Sequence, residues 1–344
     1  MTGKVAVMGA GSWGTAFALI CCDAGRPTHL WARRREVADE IQHDRRNSGY
    51  LPGIDLPSSL EATDDPQRAL DGADVVILAV PSVGLADQLR AWGDAIAAEA
   101  TLASLVKGVD VDTLRTGSRL VRETLDCDPD RVVVVSGPNI ARECAQRLPA
   151  GTVAACPDEQ RARDVLAASM TPYFRVYTNP DRVGCETGGA VKNVIALAAG
   201  MADGMGLGKN TKATLVTRGL AEMTRLGVAL GGRPLTFLGL AGVGDLVVTC
   251  TSEDSRNRTV GERLGRGELL DDIIGSMNMV AEGVKSSQAI LRLADRSGIE
   301  MPITAAVVGV IHHGGDPRDA VPQLMTREPK PEMHGLPDDD QVGS

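Results

Sequence analysis

Four apolar residues, Val5 to Met8, are followed at once by Gly9-Ala10-Gly11-Ser12-Trp13-Gly14 and then by Thr15 to Ala24, an Ala/Leu/Ile stretch closed by Gly25. The order reads as strand, glycine turn, helix. A GxGxxG triplet is weak alone, but a triplet placed between a strand and a helix narrows what the turn can do. The first glycine permits the tight turn, and the second lets a pyrophosphate approach the backbone. The third lets strand and helix pack closely, with the anion at the positive helix end. Gly9, Gly11 and Gly14 therefore predict a dinucleotide site, with Ser12 and Trp13 between the second glycine and the third.

The same texture repeats downstream. Thr28 to Trp31, Val75 to Val80, Leu102 to Val106 and Arg131 to Ser136 are apolar runs of strand length, with helical stretches such as Gly84 to Ala98 and Thr116 to Leu125 between them. Alternation of this kind predicts an α/β fold: a Rossmann-like, mainly parallel sheet with helices on both faces. Thr152 to Cys156 and Phe174 to Tyr177, separated by a charged helical stretch from Glu159 to Ala168, extend that sheet. After about Glu186 strand alternation stops. Gly189 to Ala202, Lys212 to Leu230, Gly283 to Ser297 and Ala305 to His312 read as helices, which predicts a mostly α-helical C-terminal domain.

A chain of 344 residues accommodates about two domains. The expected division is a dinucleotide-binding domain over 1–186, an all-helical substrate and catalytic domain over 187–328, and a solvated tail over 329–344, where Pro, Gly and Asp cannot build a core. Aromatics are only 3%, so aliphatic side chains and alanine must fill both cores. With 36 Lys+Arg against 45 Asp+Glu the net charge is −9, which disfavours a nucleic-acid or acidic-membrane partner. Any anion must be met locally.

No stretch reaches the roughly 18 apolar residues of a membrane span. The N-terminus MTGKVAVMGAG enters a strand pattern without a signal-like charged and apolar prelude. Seven cysteines, in no metal-ligand spacing, read as reduced, buried small hydrophobes. A cytoplasmic enzyme without a metal is the expectation.

Dinucleotide folds that select NADH usually carry Asp or Glu about 20 residues after the glycine turn, at the end of the second strand. Here that place reads Ala32-Arg33-Arg34-Arg35. Guanidinium groups match the planar, bidentate geometry of a phosphate, so Arg33 and Arg34 favour NADPH over NADH.

Three further segments carry chemistry. Lys107-Gly108 follows the strand Leu102 to Val106 at its carboxyl end, where open α/β sheets bind ligands. Lys192-Asn193 interrupts the small, apolar helix Gly189 to Val194. A lysine there either snorkels to solvent or sits desolvated with a lowered pKa, ready for proton transfer. Gly239 to Gly244 leads through Asp245 to Thr249 and then to Ser255-Arg256-Asn257, a trio able to surround a phosphate.

Taken together, Gly9 to Gly14 with Trp13 inside it, Ser136-Gly137-Pro138, Lys192-Asn193, Asn210-Thr211, Thr217 to Met223, Gly239 to Asp245, Thr249-Cys250, Ser255-Arg256-Asn257 and Glu282-Gly283 strongly resemble bacterial NAD(P)-dependent glycerol-3-phosphate dehydrogenases, in order, from about residue 4 to about residue 330. The resemblance implies reversible interconversion of dihydroxyacetone phosphate and sn-glycerol 3-phosphate, supplying phospholipid synthesis, by a homodimer. It matches Lys192 to the proton acceptor, with Lys107, Asn193, Asp245 and Thr249 in the catalytic environment. Substrate contacts fall on Lys107, Gly137, Asn139, Lys192, Asp245, Ser255, Arg256 and Asn257. Cofactor contacts fall on Ser12, Trp13, Arg33, Arg34, Lys107, Ala141, Arg256, Val280 and Glu282. Asn139 departs from the Ser or Thr that many members carry after Gly-Pro, though an amide still offers donors and an acceptor.

Two other readings stand beside this one. Ser255-Arg256-Asn257 could clamp a carboxylate, as in a two-domain β-hydroxy-acid dehydrogenase. A nucleotide sensor that kept only the glycine turn would have no use for Lys107, Lys192 and Asp245 together.

Overall fold

The computed structural model describes residues 3–277, 281–332, 334 and 335. The chain divides into two compact units: Met1–Val106 with Gly117–Arg182, and Lys107–Thr116 with Val183–Ser344.

The first unit carries eight strands: β1 (Lys4–Met8), β2 (Thr28–Trp31), β3 (Leu60–Thr63), β4 (Ala73–Leu78), β5 (Thr101–Ser104), β6 (Val132–Ser136), β7 (Ala150–Ala155) and β8 (Phe174–Asn179). They form one sheet in the order β3-β2-β1-β4-β5-β6-β7-β8. Every neighbouring pair is parallel except β6 with β7, as expected for a mainly parallel sheet. Side chains alternate across a strand, and β1 shows the consequence: Val5 and Val7 enter one hydrophobic core while Ala6 and Met8 enter another on the opposite face. A strand buried on both faces reads as a continuous apolar run, which is why β1 and β4 were legible. β3 was not, because Leu-Glu-Ala-Thr at the sheet edge is only four residues long and half polar.

Chain order reverses beside β1, with β2 and β3 on one side and β4 on the other. Ligands of open α/β sheets bind beyond the carboxyl ends of the strands at such a switch point. The glycine turn lies there, between β1 and helix α1 (Ser12–Asp23).

The second unit is helical, as expected. Its principal helices are α2 (Arg182–Gly204), α3 (Gly208–Ala229), α4 (Asp245–Thr251), α5 (Arg256–Gly265), α6 (Glu282–Arg296), α7 (Pro302–His313) and α8 (Pro317–Met325). α2 is buried on all sides from Gly184 to Ala202, the mark of a central helix. It meets α5 through two glycine pairs. A Cβ on Gly200 would lie 2.1 Å from the Arg258 carbonyl oxygen, and one on Gly261 would lie 2.1 Å from that of Leu197. Gly204 and Gly265 repeat the contact one turn on, so the two backbones touch where any side chain would hold them apart.

Chain order alone assigns residues 107–116 to the sheet-bearing part, yet Val109 and Leu114 are buried in the helical unit's core. The segment therefore carries Lys107 with it into the second unit. In the tail, residues 329–332 are exposed and tied down by Lys330 on Glu300 at 2.7 Å and by Arg218 donating to the Glu332 carbonyl at 2.8 Å. Val280 and the acidic stretch 338–340 lie outside the described residues. Among the described residues no helix is long and apolar enough to cross a membrane. All seven cysteines are free thiols, five of them buried, with Cys22 and Cys127 half-buried.

Candidate active site and nucleotide turn

The glycine turn of the first unit has the geometry its sequence predicts. Gly9 has a φ of +127°, and a Cβ there would stand 2.7 Å from the Ala79 carbonyl oxygen. A Cβ on Gly14 would fall 1.9 Å from the Gly9 oxygen, so helix and turn are in backbone contact. Gly11 is the opposite case: a Cβ would meet nothing within 4 Å, which leaves its backbone open at the N-terminus of α1. An open backbone at a helix start, braced by two tightly packed glycines, fits a pyrophosphate.

Around the turn, Ser12 donates from Oγ to the Tyr50 carbonyl at 2.6 Å, and Trp13 packs edge-on against Phe17 at 5.5 Å. Arg33 and Arg34 follow β2 and are exposed. Arg34 lies over the Tyr50 ring, 5.7 Å from its centroid, with Nη2 donating to the hydroxyl at 3.4 Å. Tyr50 thus joins Ser12 to Arg34, a role its position in an irregular loop did not signal. Ala141 opens a short helix and packs beside Ala16, Leu51 and Ala145.

After β6, Gly137 has a φ of +155° and sits against the backbone of Thr152, where a Cβ would come within 3.0 Å of the Cα. Asn139 donates from Nδ2 to the Gly151 carbonyl at 2.9 Å and accepts from Thr152 Oγ1 at 2.8 Å. Its amide pins this loop to β7, a structural use that its polar character alone did not distinguish from ligand contact.

The second unit gathers the residues expected to do proton chemistry. Asp245, at the start of α4 and 1% exposed, accepts from Lys107 Nζ at 2.7 Å through one oxygen and from Lys192 Nζ through the other. Lys192, on α2 and 6% exposed, also donates to Thr249 Oγ1 at 2.8 Å. Thr249 in turn donates to the Asp245 carbonyl at 2.6 Å, one helical turn back. Asn193 donates to the Lys107 carbonyl at 3.0 Å and accepts from Asn257 Nδ2 at 3.0 Å, while Asn257 Oδ1 accepts from the Gly283 N–H at 2.9 Å. One hydrogen-bonded chain therefore runs from α6 through α5 and α2 to the backbone of Lys107.

Electrostatics follow from this burial. Desolvation brings the Lys192 ammonium down to about 8, with Lys107 acting in the same direction and Asp245 opposing both. Burial alone would raise the Asp245 carboxyl, but the two lysines outweigh it and hold it below the usual carboxylate range. Two ammonium groups around one carboxylate leave a net positive site.

Ser255 caps α5, accepting from the Arg258 N–H at 3.3 Å. Arg256 follows it; desolvation lowers its guanidinium from the ordinary arginine value, and Glu282, at the start of α6, opposes that. Among the described residues no group of His, Cys, Asp and Glu has the arrangement of a metal site.

A Rossmann-type sheet with an open glycine turn, followed in the same chain by a helical unit with a desolvated lysine–aspartate–lysine cluster, defines a dinucleotide-dependent dehydrogenase. Residues 4–162 match the family model described as NAD-dependent glycerol-3-phosphate dehydrogenase N-terminus, and residues 181–322 match that of the C-terminus. The chain belongs to the NAD-dependent glycerol-3-phosphate dehydrogenase family. It is 53% identical to "Glycerol-3-phosphate dehydrogenase [NAD(P)+]" of Streptomyces avermitilis over 96% of this chain and 98% of that one. It is 55% identical to the protein of the same name from Corynebacterium diphtheriae over 96% and 100%. Among solved structures, glycerol-3-phosphate dehydrogenase from Coxiella burnetii superposes with a TM-score of 0.88 at 37% identity, covering 94% of this chain and 99% of that one.

Proposed function

We propose that this chain catalyses the reversible, NAD(P)-dependent interconversion of dihydroxyacetone phosphate and sn-glycerol 3-phosphate, supplying glycerol phosphate for phospholipid synthesis. The observation that carries the reading is Asp245 bridging two lysines, one of them with an ammonium brought down to about 8. A proton donor and acceptor works best when its pKa lies near the operating pH.

The division of labour follows from the donors. An ammonium has three N–H groups; Lys192 directs two at Asp245 and Thr249, which leaves one for the substrate oxygen. When glycerol phosphate is oxidised, neutral Lys192 takes the hydroxyl proton; when the ketone is reduced, its ammonium protonates the forming alkoxide. Lys107, fixed by Asp245 and by Asn193 at its carbonyl, adds positive charge for that oxygen. Ser255, Arg256 and the backbone of Asn257, at the N-terminus of α5, suit the substrate phosphate.

The bound nicotinamide supplies or accepts the hydride. Gly9, Gly11, Ser12, Trp13 and Gly14 would hold its pyrophosphate, Arg33 and Arg34 a 2′-phosphate, and Ala141, Arg256 and Glu282 other parts of the dinucleotide. In this reading residues 1–186 bind the dinucleotide, 187–328 bind and transform the substrate, and the enzyme is a cytoplasmic homodimer with no nucleic-acid partner.

The test is absorbance at 340 nm with the purified chain, NADPH and dihydroxyacetone phosphate, repeated with NADH and with unphosphorylated dihydroxyacetone. Rapid oxidation dependent on the phosphate is expected. Equal turnover without the phosphate, or none at all by folded protein that binds NADPH, would overturn the reading. Sedimentation velocity reports the oligomeric state.

A further inference from the structure

The helical unit contains a cavity of about 840 Å³ that none of the residues assigned to the reaction lines. Its volume falls in the range of roughly 300–1,000 Å³ typical of small-molecule sites. The floor is aliphatic, made by Met201, Leu215, Ile303, Val307 and Leu324 from α2, α3, α7 and α8.

The wall is different. Arg218 and Arg225 lie two helical turns apart on α3, so both face the cavity. Arg218 donates to the Glu332 carbonyl at 2.8 Å and Arg225 to that of Glu300 at 3.2 Å. Among the described residues neither guanidinium has a carboxylate within ion-pair distance, whereas Arg327 and Lys330, also at this cavity, both pair with Glu300 at 3.1 and 2.7 Å. The buried carboxylate in the wall, Glu222, accepts from the Ile303 N–H at 2.6 Å, the Thr304 N–H at 3.2 Å and Thr304 Oγ1 at 3.1 Å, and acts on Arg225, as Glu300 does, only from beyond ion-pair distance. A guanidinium carries five donors, and here one of each set is committed to a carbonyl. Two half-buried guanidiniums with no carboxylate of the described residues within 4.0 Å, above an aliphatic floor, match a molecule that is anionic at one end and apolar along its length.

We propose that this cavity is a second ligand site, taking a single-chain amphiphile whose anionic head rests on Arg218 and Arg225 and whose alkyl chain lies along Met201, Leu215, Ile303 and Val307. The head is a carboxylate or a phosphate monoester. The site is independent of the reaction proposed above and is tested by binding, not turnover.

The experiment is titration calorimetry of the full chain, with glycerol 3-phosphate at saturation to mask any phosphate affinity elsewhere. The probes are decanoate, decyl phosphate and decanol, each below its micelle-forming concentration. Both anions are expected to bind once per chain, and decanol roughly tenfold to a hundredfold more weakly, the worth of a charged hydrogen bond. The doubly substituted Arg218→Gln/Arg225→Gln chain should lose that same factor for the anions and leave decanol unchanged. Tighter binding of decyl phosphate identifies the head as a phosphate, and of decanoate as a carboxylate; either supports the site. Ala306→Trp, which fills the cavity, should abolish binding, and circular dichroism verifies that each variant is folded. Absence of binding to the unaltered chain, or anion affinity untouched by loss of both arginines, would overturn the proposal. If no probe binds and Ala306→Trp converts a dimer to a monomer in sedimentation, the cavity is instead a contact between two copies of this chain.

Discussion

Asn257 donates from Nδ2 to Asn193 Oδ1 at 3.0 Å, joining the helix that begins with Arg256 to the helix that carries Lys192. Both ends of the Asn257 amide are used internally, the other accepting from the Gly283 N–H. Its side chain thus ties these three segments of the helical unit together. Asn257→Ala and Asn193→Ala should each lower kcat/KM, and the double variant should be little worse than the poorer single one, with a coupling of about 0.5–3 kcal/mol. Strictly additive losses in steady-state kinetics would mean that the two amides act separately.

The proton-transfer role proposed for Lys192 predicts a pH dependence. With its ammonium at about 8, ketone reduction should be lost as pH rises through that value, and glycerol-phosphate oxidation should appear over the same interval. Asp245→Asn removes the carboxylate that opposes the lowering, so the limb should move to lower pH, by about a unit, while kcat falls by roughly 100-fold or more. It also strands two neighbouring ammonium groups, at a cost of about 3–5 kcal/mol seen as a lower Tm. A limb that stayed at the same pH in Asp245→Asn would show that another group titrates.

Arg34 is held over Tyr50, which Ser12 in turn holds beside the glycine turn. Replacing Arg33 and Arg34 with Gln should raise the Kd of NADPH by about tenfold to a hundredfold and that of NADH by much less. Tyr50→Leu should produce a smaller change in the same direction. Fluorescence titration of both nucleotides decides the matter, and equal losses would exclude recognition of the 2′-phosphate by these arginines.

Glu222 is 1% exposed and caps the first turn of α7 from α3. Burial raises its carboxyl to about 7 despite three donors. The folded state therefore holds this proton more tightly than the unfolded chain does. The resulting stabilisation is fully present below the ordinary glutamate value and is lost as pH rises toward 7. Glu222→Gln cannot ionise, so urea unfolding should show its stability gaining on that of the unaltered chain between about pH 4.5 and 7, and running parallel to it above 7. A constant difference across that interval would contradict the assignment.

Much of this molecule is written locally. The strand, turn and helix from Lys4 to Asp23 follow from side-chain periodicity and three glycines, because each requirement is met by residues adjacent in sequence. The same holds for β2 ending at Trp31 with arginines just beyond it, and for the buried lysine in α2. Lys192 was legible as a charge inside small, apolar surroundings, which must have a partner, Lys107 from its place at the carboxyl end of a strand, and Asp245 and Thr249 from the glycine-rich segment before them.

Which partner was another matter. Lys107 and Asp245 meet across 138 residues, and Asn193 finds the carbonyl of Lys107 across 86, distances over which sequence carries no geometric information. α4 and α5 escaped a reading by periodicity, the first being only seven residues long and the second mostly polar; α5 is held by its Ser255 cap and by the glycine crossing with α2. Tyr50 beneath Arg34, and Asn139 absorbed by Gly151 and Thr152, depend likewise on loops brought together by the sheet. The sequence by itself determined the elements and their chemistry, because backbone preference and side-chain period act within a few residues. Only the tertiary structure decided which charges neutralise one another, because burial and hydrogen-bond geometry arise from contacts between segments far apart in the chain.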